Sequence, residues 1–107
     1  MHTFIGTPGD LLGMSLEKVR KEISLTDTAI IRLIKKRQEL AEQVIRIKVH
    51  EGKPVHDEQR IQQVLEAVFN QAVEEKINPV SVQEIFRILI AMSEERQREF
   101  SGEGNLL

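Results

Sequence analysis

From Leu16 onward a marked position returns every three or four residues: Leu16, Val19, Ile23, Thr26, Ile30, Leu33, Arg37, Leu40, Val44, Ile47. This alternation is a heptad seam, and it predicts a long helix packed along one stripe. Ser15 reads as its N-cap, ahead of Leu16 and Glu17, and no Gly or Pro follows until Gly52. Such a helix runs roughly 35 residues, on the order of 50 Å. A compact domain of this length has a radius of gyration of about 13 Å. Two shorter helices of the same chain cannot cover the seam, so the pattern predicts an oligomer, most simply a dimer with the long helices side by side.

Gly52-Lys53-Pro54-Val55 breaks the first helix. Asp57 then caps a second, with Ile61, Val64, Leu65, Val68 and Ala72 on its inner face, fading at Glu74-Glu75-Lys76. Asn78-Pro79 is a cap followed by proline at the first helical position, and it opens a third helix. The stripe of that helix is Val82, Ile85, Phe86, Leu89, Ile90, Ser93, Gln97, Phe100. No strand pattern, internal repeat or low-complexity tract interrupts this order. The expected fold is all-α: three helices forming one domain over 15–100, with a mobile N-terminal tail over 1–14 and a frayed C-terminal tail over 101–107.

Composition narrows the function. The chain has 107 residues, a net charge of -2 and 30% charged residues, which leaves no basic footprint for nucleic acid. No apolar run approaches a membrane span, and the glycine-rich start lacks the flank and apolar core of a secretory signal. Cysteine is absent, which removes disulfides, thiolate chemistry and Cys-ligated metals and fits a cytoplasmic protein. Trp and Tyr are absent and Phe numbers four, so the core is built from Ile, Leu and Val.

Within this frame the polar breaks in the apolar stripes carry the chemistry. A guanidinium in an apolar seam is costly unless an anion meets it. Lys48 lies eleven residues after Arg37, close to three full turns, so both cations point the same way. Two cations on one helix face, with no acid at the matching positions, suggest a pocket for an anionic small molecule. Each residue also has a plainer explanation. Arg37 could pair with Glu84 or Glu94, Ser93 and Gln97 could form a satisfied core pair, and Lys48 could complement the helix dipole. Asp57 is explained as a cap, Arg60 as a solvated side chain, and His2, His50 and His56, which lack metal-like spacing, as surface residues. Convergence favours the site: every helix has polar groups on the face that should be dry. Arg20 precedes Arg37 by seventeen residues, about 25 Å along the axis and roughly 100° around it. It could reach an Arg37 site only from the second chain of an antiparallel dimer.

These residues carry a resemblance. The run Val19-Arg20-Lys21-Glu22-Ile23, then Asp27, then Lys36-Arg37-Gln38-Glu39-Leu40-Ala41, then Lys48, resembles the first helix of the small all-helical chorismate mutases, intertwined three-helix dimers. So do the turn from Gly52 to Asp57 with Arg60 after it, and Phe86-Arg87-Ile88-Leu89-Ile90 followed by Ser93 and Gln97. Each motif alone is weak, but in this order across nearly the whole chain they are specific.

The resemblance implies an isomerase of aromatic amino-acid biosynthesis, in the shikimate pathway, that rearranges chorismate to prephenate without metal or cofactor. It implies that Arg37, with Arg20 donated by the other subunit, holds the substrate's two carboxylates. Lys48 and Gln97 hydrogen-bond the ether oxygen whose bond to carbon breaks, Ser93 and Arg60 support carboxylate binding, and Asp57 lies near the ring hydroxyl. One position departs from the family: the glutamate that usually follows the arginine matching Arg60 is here Ile61. Isochorismate-pyruvate lyases, which share the fold, also have an apolar residue there. Asp57, Ser93 and the Gly-Lys-Pro-Val turn favour the mutase. A lyase on the same scaffold, or a helical dimerisation module without catalysis in which Arg37 only sets pairing specificity, remain as alternatives.

Overall fold

The computed structural model describes residue 13 and residues 15–102. The tail expected over 1–14, save Gly13, and the C-terminal tail beyond Gly102 lie outside the described residues, as does His2. Three helices follow in order: α1, Leu16–Glu51; α2, Glu58–Glu74; and α3, Pro79–Ser101. Among the described residues there is no strand.

The chain divides into two units, Met1–Ile34 and Lys35–Leu107. In the first, α1 is the only long element described. Ser15 accepts a hydrogen bond from the Lys18 backbone N–H and so caps the helix. Thr26, a polar break in the seam, is satisfied within its own helix: its hydroxyl donates to the Glu22 carbonyl at 2.9 Å. The apolar seam positions of this unit, among them Leu16, Ile23, Ile30 and Leu33, are exposed.

The second unit holds the remainder of α1 with α2 and α3. Its core is Ala41, Ile45, Val55, Leu65, Val68 and Ala72. Gly52, at φ 69, ends α1 in the left-handed region that glycine adopts without strain. The Asp57 side chain accepts from the Arg60 N–H and starts α2. Asn78 accepts from the N–H groups of Val80 and Ser81, with Pro79 behind it, and starts α3. Gly102, at φ 83, caps α3, which extends through Ser101. The Gln83 amide donates to the Leu65 carbonyl at 3.0 Å, tying α3 to the middle of α2.

The buried side of α1 differs in one respect from the heptad seam. Leu40, Val44 and Ile47 are exposed, whereas Ala41 and Ile45 are buried. The face turned to α3 therefore lies one residue, about 100°, from the seam. Arg37 belongs to both stripes, and Lys48 falls on the inner one. On α3, Gln97 is the buried residue of the expected stripe, while Ile85 and Phe100 are exposed. Among the described residues, no helix is long and apolar enough to cross a membrane.

Candidate active site

Three- and four-residue steps on two helices align the polar groups of one pocket. On α3, Leu89, Ser93 and Gln97 are successive turns of one stripe. On α1, Arg37, Ala41, Ile45 and Lys48 form the facing stripe. Arg37 Nη1 donates to the Leu89 carbonyl at 3.3 Å and to Ser93 Oγ at 3.1 Å. Its guanidinium carbon lies 5.7 Å from the centre of the Phe86 ring, within range of a cation–π contact. Three parts of α3 thus hold one side chain of α1. Among the described residues no carboxylate pairs with Arg37, so the pairing with Glu84 or Glu94 is not the arrangement adopted.

Eleven residues on, Lys48 Nζ donates to the Val55 carbonyl at 2.6 Å and to Gln97 Oε1 at 3.0 Å. Gln97 is only 6% exposed, the one buried polar side chain among the described residues. Its Oε1 accepts the Lys48 hydrogen bond, and the side chain lines the pocket. An ammonium carries three donors, so Lys48 keeps one for a ligand.

The pocket between these helices has a volume of about 450 Å³, in the range of small-molecule sites. Arg37, Lys48, Asp57, Arg60, Ser93, Glu94 and Gln97 give it polar groups from all three helices and from the cap of α2. Its apolar wall includes Leu40, Val44, Val55, Ile61, Val64 and Ile90. Ile61 is half-buried and lines this wall. Of the residues singled out in the sequence, Arg37, Lys48, Asp57, Arg60, Ile61, Ser93 and Gln97 come together here. Arg20 is exposed on the N-terminal part of α1 and is not among the lining residues.

The electrostatics favour an anion. Burial, and secondarily the positive charge of Arg60, lower the pKa of Arg37. A guanidinium nonetheless stays protonated at physiological pH, so two arginines of like charge face the same space. A carboxylate bound between them would relieve both effects. Asp57 commits one oxygen, Oδ1, to capping the Arg60 N–H at 3.1 Å, so its plain role as a cap and its place in the pocket coexist.

Three groups of this region escaped the sequence. The Val55 carbonyl, which orients Lys48, carries no signal because every residue has a carbonyl. Glu94 lines the pocket but is committed to His56 Nδ1 at 2.9 Å and to Arg98 Nη2 at 3.2 Å. His56, read as a plain surface residue, is exposed but bridges two carboxylates. Only its spacing of two from Glu58 is visible in the sequence.

Comparison with known proteins agrees with this architecture. The family model of chorismate mutase type II matches residues 19–98, a span running from the seam of α1 to just past Gln97. A protein of Methanocaldococcus jannaschii named chorismate mutase is 30% identical over 85 residues, which cover 79% of this chain and 86% of that protein. With three helices in the expected order and a match across most of its length, the chain belongs to the chorismate mutase type II family.

Proposed function

We propose that the chain is an active chorismate mutase, with residues 15–100 as its catalytic domain. It acts as a homodimer in which Arg20 of the partner subunit completes each pocket. The observation that carries this reading is the Lys48–Gln97 pair, 3.0 Å apart, in a pocket whose other donors, Arg37, Arg60 and Ser93, suit carboxylates. The exposed apolar residues of α1 support a second copy, since such a stripe is costly to leave in water.

The reaction converts chorismate to prephenate by a unimolecular rearrangement: a carbon–oxygen bond breaks as a carbon–carbon bond forms, with no atom gained or lost. Binding can accelerate it by holding the extended substrate in a compact chair-like geometry. Arg37, whose position three contacts from α3 define, anchors one carboxylate, and Arg20 of the partner subunit the other. Negative charge grows on the ether oxygen as its bond to carbon lengthens. Lys48 meets that oxygen with its third N–H and a full charge, and Gln97 meets it with an amide proton that does not titrate. Both are oriented before substrate arrives, so little reorganisation is needed in the transition state. A cytoplasmic location goes with this reading and is supported by the lack of cysteine.

One observation favours a second reading. Ile61 puts an apolar side chain on the pocket wall, as the resemblance to isochorismate-pyruvate lyases implies. Incubating purified protein with chorismate and following prephenate tests the first reading. A parallel incubation with isochorismate, assayed for salicylate and pyruvate, tests the second. Formation of neither product set would leave the dimerisation module. Light scattering at micromolar concentration should give a dimeric mass; a fully active monomer would overturn the shared site.

A further inference from the structure

His56 places both ring nitrogens on carboxylate oxygens: Nδ1 lies 2.9 Å from Glu94 Oε1 and Nε2 lies 3.0 Å from Glu58 Oε2. A neutral imidazole has one N–H and one lone pair. In this geometry the lone pair would face a carboxylate and repel it. Only the imidazolium, with two N–H groups, satisfies both contacts. The bridge is therefore built for the charged ring.

It joins three parts of the site. Glu58 is the first residue of α2 and Glu94 lies on α3, directly after Ser93. His56 itself follows Val55, whose carbonyl holds Lys48. The other oxygen of Glu94, Oε2, accepts from Arg98. Glu94 is thus a carboxylate in the wall of the anion pocket with a cation on each oxygen. The pocket lining holds three cations, Arg37, Lys48 and Arg60, against two carboxylates, Asp57 and Glu94. Glu51, at the end of α1, and Lys53, in the turn before His56, pair with each other at 3.0 Å.

We propose that His56 is a positioning residue that clasps the turn of residues 55–57 to α3 and neutralises Glu94, so that the pocket accepts a dianionic substrate. This rests on the reading of the pocket as a chorismate site. The hydrogen bond to Glu94, followed by that to Glu58, raises the pKa of His56 above its ordinary value. The charged ring is present below that raised value and is lost as pH climbs through it. Above it the neutral ring keeps a single N–H, so one contact of the bridge is lost, the positive charge beside Glu94 is gone, and the carboxylate repels the substrate. Because the bridge is exposed, solvent screens it, and the expected change in KM is about two- to five-fold.

The test measures kcat and KM for chorismate from pH 6 to 8.5, where the substrate's carboxylates remain ionised. An imidazole NMR titration of the ligand-free protein runs in parallel. In the unmodified protein KM should rise through the His56 titration while kcat changes little. His56→Gln should show the higher KM at every pH without a step. His56→Arg, which keeps a charge that can bridge both acids, should hold the lower KM throughout. Glu94→Gln should remove the step and move the His56 titration toward its ordinary value. Superposable KM profiles for the unmodified protein and His56→Gln would overturn the proposal, as would a step that survives in Glu94→Gln. If chorismate is turned over at no pH, the catalytic reading fails. The NMR titration still judges the clasp, because a His56 pKa unmoved by Glu94→Gln refutes it.

Discussion

Truncating Lys48 to alanine separates its structural contribution from its catalytic one. The ammonium holds the Val55 carbonyl at 2.6 Å and Gln97 Oε1 at 3.0 Å. Val55 is 4% exposed, so its carbonyl loses a partner in a place water reaches poorly. Gln97 lines the pocket, where water can replace the lost ammonium. Stability should therefore fall by the cost of one unsatisfied buried acceptor, about 1–3 kcal/mol. In a domain of this size each kcal/mol lowers Tm by about 4–8 °C. The catalytic loss should be larger: one preorganised donor to a developing negative charge is worth about 10²–10³ in kcat. Lys48→Gln keeps a neutral donor near the Val55 carbonyl. It should recover much of the stability yet remain at least about tenfold slow, because the charge is gone. Initial rates at saturating chorismate, on samples shown by circular dichroism to be folded, give kcat for each variant. A folded Lys48→Ala protein with unchanged kcat would refute the assignment. So would a rate loss that only follows the unfolded fraction.

Gln97→Glu should confine activity to acidic pH, where the carboxyl is protonated and still donates. The ammonium 3.0 Å away favours the ionised form, so the rate should climb as pH falls; an unchanged pH profile removes Gln97 from the site. Ile61→Glu places a carboxylate on the pocket wall and should lower KM for chorismate by one hydrogen bond to a charged group, about 1.5–3 kcal/mol before desolvation is subtracted. A large drop in Tm without tighter binding would instead mark Ile61 as core. Arg20→Ala and Arg37→Ala should each be nearly inactive alone, the latter with a strongly raised KM, but co-refolded mixtures should regain one intact pocket per heterodimer. Verified heterodimers without recovered activity would refute sharing.

Local chemistry made the helices legible. The three-four alternation, the caps at Ser15, Asp57 and Asn78, and the Pro79 start each act within a few residues, and α1, α2 and α3 begin where those signals stand. Breaks in periodicity also marked Arg37, Ser93 and Gln97 before any geometry was known, because a polar side chain on an apolar stripe demands a partner. The identity of that partner was not local. Arg37 meets the Leu89 carbonyl and Ser93 across more than fifty residues, and Lys48 meets Gln97 across forty-nine. The inner stripe of Ala41 and Ile45, one residue from the heptad seam, depends on where α3 docks. The pocket role of Glu94 and the bridging of His56 depend on the same docking. Periodicity records which side of a helix is dry, since burial acts on every residue of a stripe. A hydrogen bond to a backbone carbonyl, or an ion pair spanning thirty-eight residues, leaves no periodic trace: every residue offers a carbonyl, and only tertiary packing decides which one lies within 3 Å of a donor.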